Sequence, residues 1–198
     1  ITTSARPEQV KAIFGHTIDT GLQHGTVTIM RDKVGYEVTT YRIDGEYEDG
    51  RHPKEVEFTS NLLEDLKRRD FTINAMAYNP KEGLVDAFEG IQDLKEKRIR
   101  CVGNALERFT EDALRILRAI RFSAQLGFSI EESTWEAIKV IAPNLIHVSK
   151  ERIQVELTKL LLSNHPDEIR KVFDRELDTR ICADFPKINP AQIAIDPG

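Results

Sequence analysis

Cysteine is scarce in this chain: Cys101 and Cys182 stand far apart, with no His or Cys neighbours at metal-ligand spacing. Two free thiols are expected, with neither a disulfide framework nor a zinc site. Long apolar runs are also missing, and nothing approaches the roughly 20 residues that cross a bilayer. The opening Ile-Thr-Thr-Ser-Ala-Arg-Pro has no basic start and no apolar stretch of the signal-peptide kind. Together these absences predict a cytoplasmic protein with no membrane partner. No repeat or low-complexity tract occurs, which excludes solenoids. Positive charge is not in excess: 28 Lys and Arg against 33 Asp and Glu leave a net charge of −5. That excludes coating of nucleic acid by bulk electrostatics and leaves only local basic patches, at Lys67 to Arg69, Lys95 to Arg100, and Arg115, Arg118 and Arg121.

At 198 residues, 40% hydrophobic and 31% charged, the chain has enough material for one sizeable globular domain or two small ones. The first hundred residues alternate between strand and helix signals. A β-branched start at Ile1 to Ser4 leads into a helix with Pro7 in its first turn. Thr26 to Met30 and Tyr36 to Arg42 flank a turn and predict a hairpin. Ile43 to Pro53 is rich in turn residues and predicts a loop. A short strand at 57–59, a helical run at 61–67, a second hairpin around the turn at 79–83 and a basic connector at 94–102 follow. Beyond Gly103 the pattern is helical, predicting helices at 110–126, 131–141, 149–163 and 167–178. Arg152 and Glu156 are spaced to pair across one turn.

The predicted helix from Thr110 concentrates charge. Leu114, Leu117 and Ile120 recur at helical spacing, while Asp112, Arg115 and Arg118 recur every three residues on another face. An ordinary surface salt bridge accounts for this pattern. A sharper reading comes from hydrogen-bond inventory: an arginine only donates and an ionised aspartate only accepts. Such a pair matches the Watson–Crick edge of cytosine (N3 and its 4-amino group) or adenine (N1 and its 6-amino group). Uracil and guanine present the reverse order and would leave buried groups unpaired. Glu37, acidic within a strand-rich segment, reads either as the solvent face of a sheet or as a metal-facing carboxylate.

Four motifs in order resemble one family: Arg68-Arg69-Asp70-Phe71-Thr72-Ile73-Asn74-Ala75; Asp86 to Gly90; Glu111-Asp112-Ala113-Leu114-Arg115; and Glu151-Arg152-Ile153 with Glu156 and Lys159-Leu160-Leu161. The family is that of the class II (bacterial-type) tRNA nucleotidyltransferases, comprising CCA-adding enzymes and the closely similar bacterial poly(A) polymerases. The resemblance, spanning about residues 1–165, implies an α+β fold. A polymerase-β-like nucleotidyltransferase head, truncated at its N-terminus, occupies residues 1–100. An all-helical, nucleotide-selecting neck occupies 101–180, and a tail of unassigned structure 181–198.

It also implies template-independent addition of C and A to the tRNA 3′ end from CTP and ATP, with Mg²⁺. In that pattern Arg69 and Asp70 hold the incoming ribose, with Asn74 in the same nucleotide-binding segment. Asp112 and Arg115 select the base, Glu111 orients that pair, and Arg118 lies near the triphosphate. Asp86 and Gly90 match the hinge between head and neck. Glu48 to Pro53, including Asp49 and Arg51, resembles the flexible loop used when switching from CTP to ATP, which CC-adding relatives lack.

Thr3-Ser4-Ala5-Arg6-Pro7 matches the stretch that follows the family's catalytic Asp-x-Asp, so that metal-holding pair is expected upstream of Ile1. As it stands the chain is expected to bind nucleotide without completing transfer, with Glu37 the candidate for a remaining metal-facing carboxylate. Three alternatives stay open: a bacterial poly(A) polymerase, a CC-adding enzyme, and a non-catalytic nucleotide- or RNA-binding module.

Overall fold

A computed structural model describes residues 1–45 and 56–169, divided into two units. The loop residues Asp49 and Arg51, most of the predicted helix at 167–178 and the tail 181–198 lie outside the described residues. The first unit comprises Ile1–Leu94 with Cys101–Gly103, and the second Lys95–Arg100 with the residues from Asn104 onward.

The first unit is built on a four-stranded sheet of β1 (Thr2–Thr3), β2 (Thr17–Gly21), β3 (Thr26–Arg31) and β4 (Val34–Thr40), in the order β1-β4-β3-β2. Strand β1 runs parallel to β4, and the other pairings are antiparallel. Asp32 and Lys33, both at positive φ (51° and 65°), form the two-residue turn whose twist suits the β3–β4 hairpin. Helix α1 (Pro7–Ile13) lays Val10 against Val27, Ile29 and Val38 to form the core of this sheet. Strand β2, which has no counterpart among the expected strands, pairs with β3 through a register shift between Ile18 and Gly21.

Next come the antiparallel β5 (Arg42–Asp44) and β6 (Val56–Phe58), then α2 (Leu62–Lys67), capped by the Asn61 side chain accepting from the Leu63 amide. A 3₁₀ turn at Thr72–Asn74 leads into the hairpin β7 (Met76–Asn79) and β8 (Gly83–Asp86), followed by α3 (Gly90–Lys95). The predicted connector at 94–102 is not one element. It holds the end of α3 and the two-residue strand β9 (Arg98–Ile99).

In the second unit β9 pairs in parallel with β10 (Ser129–Ile130), a contact too short for periodicity to reveal. Helices α4 (Ala105–Glu111), α5 (Leu114–Leu126), α6 (Glu132–Ile141) and α7 (Lys150–Leu161) make up the rest, with α4 packed on α6 and α5 on α7. Leu114, Leu117 and Ile120 are buried as their spacing predicts, and Gly127 ends α5 in the left-handed conformation at φ 65°. No helix among the described residues is long and apolar enough to cross a membrane.

Helix α6 starts where Glu131 Oε2 accepts from the Thr134 amide (2.8 Å) and the Ser133 hydroxyl (2.7 Å). Burial pushes the Glu131 carboxyl up, but these hydrogen bonds outweigh it and hold the group below its usual range. The cap therefore stabilises fully above the unfolded-state value, about 4.3, and fades as pH falls through the lower folded value. Glu131→Ala is expected to cost about 1 kcal/mol at neutral pH. In urea titrations the gap to wild type should close as pH drops below the carboxylate range.

Candidate functional site

The predicted helix from Thr110 to Leu126 is broken at Asp112. Asn104 caps an earlier start, its Oδ1 accepting from the Leu106 amide at 2.9 Å, so Thr110 lies inside α4 and donates to the Leu106 carbonyl rather than capping. At the end of α4, Asp112 turns extended (φ −151°, ψ 101°), and its Oδ1 accepts from the Leu114 amide at 3.1 Å, opening α5. Asp112 and Arg115 thus stand at a helix–helix corner instead of along one helical face.

Each is held by a different partner. Glu111 accepts from Arg108 and, through Oε2, from Arg115 Nη1 at 2.6 Å, and the same nitrogen reaches the Arg108 carbonyl at 3.1 Å. Asp112 Oδ2 accepts from Arg152 Nη2 of α7 at 2.7 Å. The side chains of Arg115 and Asp112 are only 11% and 15% exposed. Arg152 therefore does not pair with Glu156 as its i, i+4 spacing predicts. Packing of α7 on α5 instead carries Arg152 to Asp112, and Glu156 Oε2 to Arg121 Nε at 2.5 Å. Arg118 lies 3.9 Å from Glu156 and 5.4 Å from the Phe122 ring centroid. Sequence reasoning missed the role of Arg152. Its place in the Glu-Arg-Ile motif was a trace of that role, while its spacing pointed to Glu156 instead.

In the first unit the structure gathers Arg69, Asp70 and Asn74. Phe71, fully buried, anchors the segment. Asp70 Oδ1 accepts from the Phe71 amide (2.8 Å) and from Asn74 Nδ2 (3.2 Å), and Arg69 Nη1 donates to the Asn74 carbonyl at 3.2 Å. Thr72 donates to Asp93 Oδ2 at 2.6 Å, so the polar side chains set among apolar neighbours here find partners. Asp86 accepts from the Gly90 and Ile91 amides at 2.7 and 2.8 Å, which fixes the start of α3. Gly90 has no room for a side chain: a Cβ there would meet the Thr72 carbonyl oxygen at 2.4 Å. The expected hinge residues Asp86 and Gly90 thus meet in one local arrangement.

Glu37 lies exposed on β4, opposite Thr28 of β3. Among the described residues no group of three or more His, Cys, Asp or Glu side chains could hold a metal ion. Glu37 alone does not make a Mg²⁺ site.

Residues 1–100 match the family described as the poly A polymerase head domain, and 127–176 match a probable RNA and SrmB binding site of polymerase A. The chain is 53% identical over 182 residues to a CCA-adding enzyme of Oceanobacillus iheyensis, covering 91% of this chain and 46% of that protein. It is 52% identical to one from Leuconostoc mesenteroides, covering 85% and 42%. Among solved structures it resembles the Bacillus stearothermophilus CCA-adding enzyme in complex with CTP, with a TM-score of 0.80, 42% identity, and coverage of 87% of this chain and 42% of that one. It also resembles the Thermotoga maritima CCA-adding enzyme complexed with tRNA, with a TM-score of 0.71, 28% identity, and coverage of 92% and 42%. The chain spans just under half the length of these relatives.

Proposed function

Because this chain belongs to the nucleotidyltransferase family of the poly A polymerase head domain and the CCA-adding enzymes, we propose that its whole protein adds C and A, without a nucleic-acid template, to the 3′ end of tRNA from CTP and ATP. The observation that carries this reading is the separate anchoring of Asp112 by Arg152 and of Arg115 by Glu111. An arginine fixed in this way donates to cytosine N3 or adenine N1, while a fixed carboxylate accepts from the adjoining amino group. Uracil and guanine would set a donor against the arginine and a carbonyl against the carboxylate. In a largely buried setting those mismatches have no water to relieve them.

By the same reading Arg69 and Asp70, with Asn74 holding both, contact the ribose, and Arg118 faces the triphosphate. Named relatives bound to CTP, to ATP and to tRNA support these partners.

The test is incorporation of labelled nucleotides by the full-length protein into a tRNA lacking its CCA end. C and then A are expected to enter, with U and G excluded. Repeated A without C would instead mark a poly(A) polymerase, and C alone a CC-adding enzyme. Incorporation of neither nucleotide overturns the enzyme reading.

A further inference from the structure

We propose that Asp65 is a positioning residue that sets the orientation of the Arg69 guanidinium toward the ribose. This rests on the reading of Arg69 and Asp70 as ribose contacts. Asp65 lies on α2, one helical turn before Arg68 and Arg69, and is 0% exposed. At positions i+3 and i+4 both guanidiniums reach back over its carboxylate. Oδ1 accepts from Arg68 Nε (3.1 Å) and Nη2 (2.8 Å) and from the Arg42 amide of β5 (3.3 Å). Oδ2 accepts from Arg69 Nη2 at 3.2 Å. One buried carboxylate thus divides its two oxygens between neighbouring arginines and fastens both to the base of the β5–β6 pair.

The division matters because of how Arg69 is held. Its Nε is buried without a hydrogen-bond partner among the described residues. Its fixed points are therefore Nη2 on Asp65 and Nη1 on the Asn74 carbonyl. Two anchors on the terminal nitrogens set the plane of the fork. Each nitrogen keeps a second N–H, and the side chain remains 33% exposed. With Asp65 removed, only the Asn74 anchor is left, and the fork can pivot about it. Two adjacent guanidiniums would also lose the charge between them. Burial pushes the Asp65 carboxyl up, but Arg68 and then Arg69 outweigh it and hold the group below its usual range, so it stays ionised at neutral pH.

The experiment compares kcat/KM for CTP and 2′-deoxyCTP in the full-length protein and its Asp65→Asn, Asp65→Glu, Arg68→Gln and Asp70→Ala variants. Thermal unfolding of each reports on folding. Asp65→Asn is expected to lower the ribo-over-deoxy preference five- to tenfold, mainly through the KM for CTP, while the preference for CTP over UTP stays within twofold. A merely structural role would lower both preferences together or neither. Arg68→Gln leaves the Asp65–Arg69 contact in place and should keep the ribo preference within twofold. If Asp65→Asn yields no folded protein, Asp65→Glu decides, since it keeps the charge but displaces the oxygen that meets Arg69 Nη2. A fallen ribo preference there supports the proposal and an unchanged one overturns it, as does a loss of preference in Arg68→Gln. An unchanged ratio in Asp65→Asn beside a fallen ratio in Asp70→Ala overturns the positioning role alone. An unchanged ratio in both overturns the ribose reading and this inference with it.

Discussion

Glu156→Ala is expected to cost about 3–5 kcal/mol, the range for breaking one side of a buried ion pair. Glu156 is 5% exposed and Arg121 6%. Glu156 Oε2 accepts from Arg121 Nε at 2.5 Å, and its Oε1 lies 3.9 Å from Arg118 and 4.0 Å from Lys159. Arg121 also donates to Gln125 Oε1 at 2.6 Å and stacks 4.0 Å above the Phe122 ring. Neither contact neutralises a cation held in the packed α5–α7 interface. Urea unfolding should show a lower midpoint with an unchanged slope, marking lost stability with the same surface exposed. Replacing the pair together, Arg121→Met with Glu156→Leu, should cost far less, because no buried charge is then left alone. A loss below 1 kcal/mol for Glu156→Ala would show that the pair behaves as a solvated one.

Arg115→Ala is expected to lower kcat/KM for CTP and ATP and to relax discrimination against UTP by about 1–3 kcal/mol, roughly 5- to 150-fold. Under the proposed function the loss falls on base choice, because Arg115 would supply the donor that a cytosine N3 or adenine N1 requires. Glu111→Gln keeps the arginine while weakening its tether, so a smaller shift in the same direction should follow. Arg115 also reaches the Arg108 carbonyl, so unfolding curves are needed beside the kinetics. An equal fall for all four nucleotides would assign Arg115 a structural role instead.

Much of the local architecture was legible because its causes lie within a few residues of one another. The hairpin expected from 26–30 and 36–42 forms as β3 and β4, though Arg42 belongs to β5. The helical run from 61, the burial of Leu114, Leu117 and Ile120 and the stop at Gly127 follow from patterning and turn chemistry. The misses have local and long-range causes. Strand β2 buries no residue fully, so Thr17–Gly21 carries no apolar alternation, and β9 and β10 have only two residues each. The break at Asp112 was hidden because strong helix formers lie on both sides, and only the capture of the Leu114 amide by its carboxylate decides it.

At the candidate site, the chain alone determined which residue types are present in which motifs, and so which donors and acceptors are available there. The tertiary structure decided who holds whom. Asp112 meets Arg152 across 40 residues, and Arg121 meets Glu156 across 35. Spacing along a helix nominated the local pair Arg152–Glu156, worth a few tenths of a kcal/mol on an exposed face. Once α7 packs on α5 and water is excluded, each buried charge must find the partner that the packing places beside it, and that requirement outweighs the local preference.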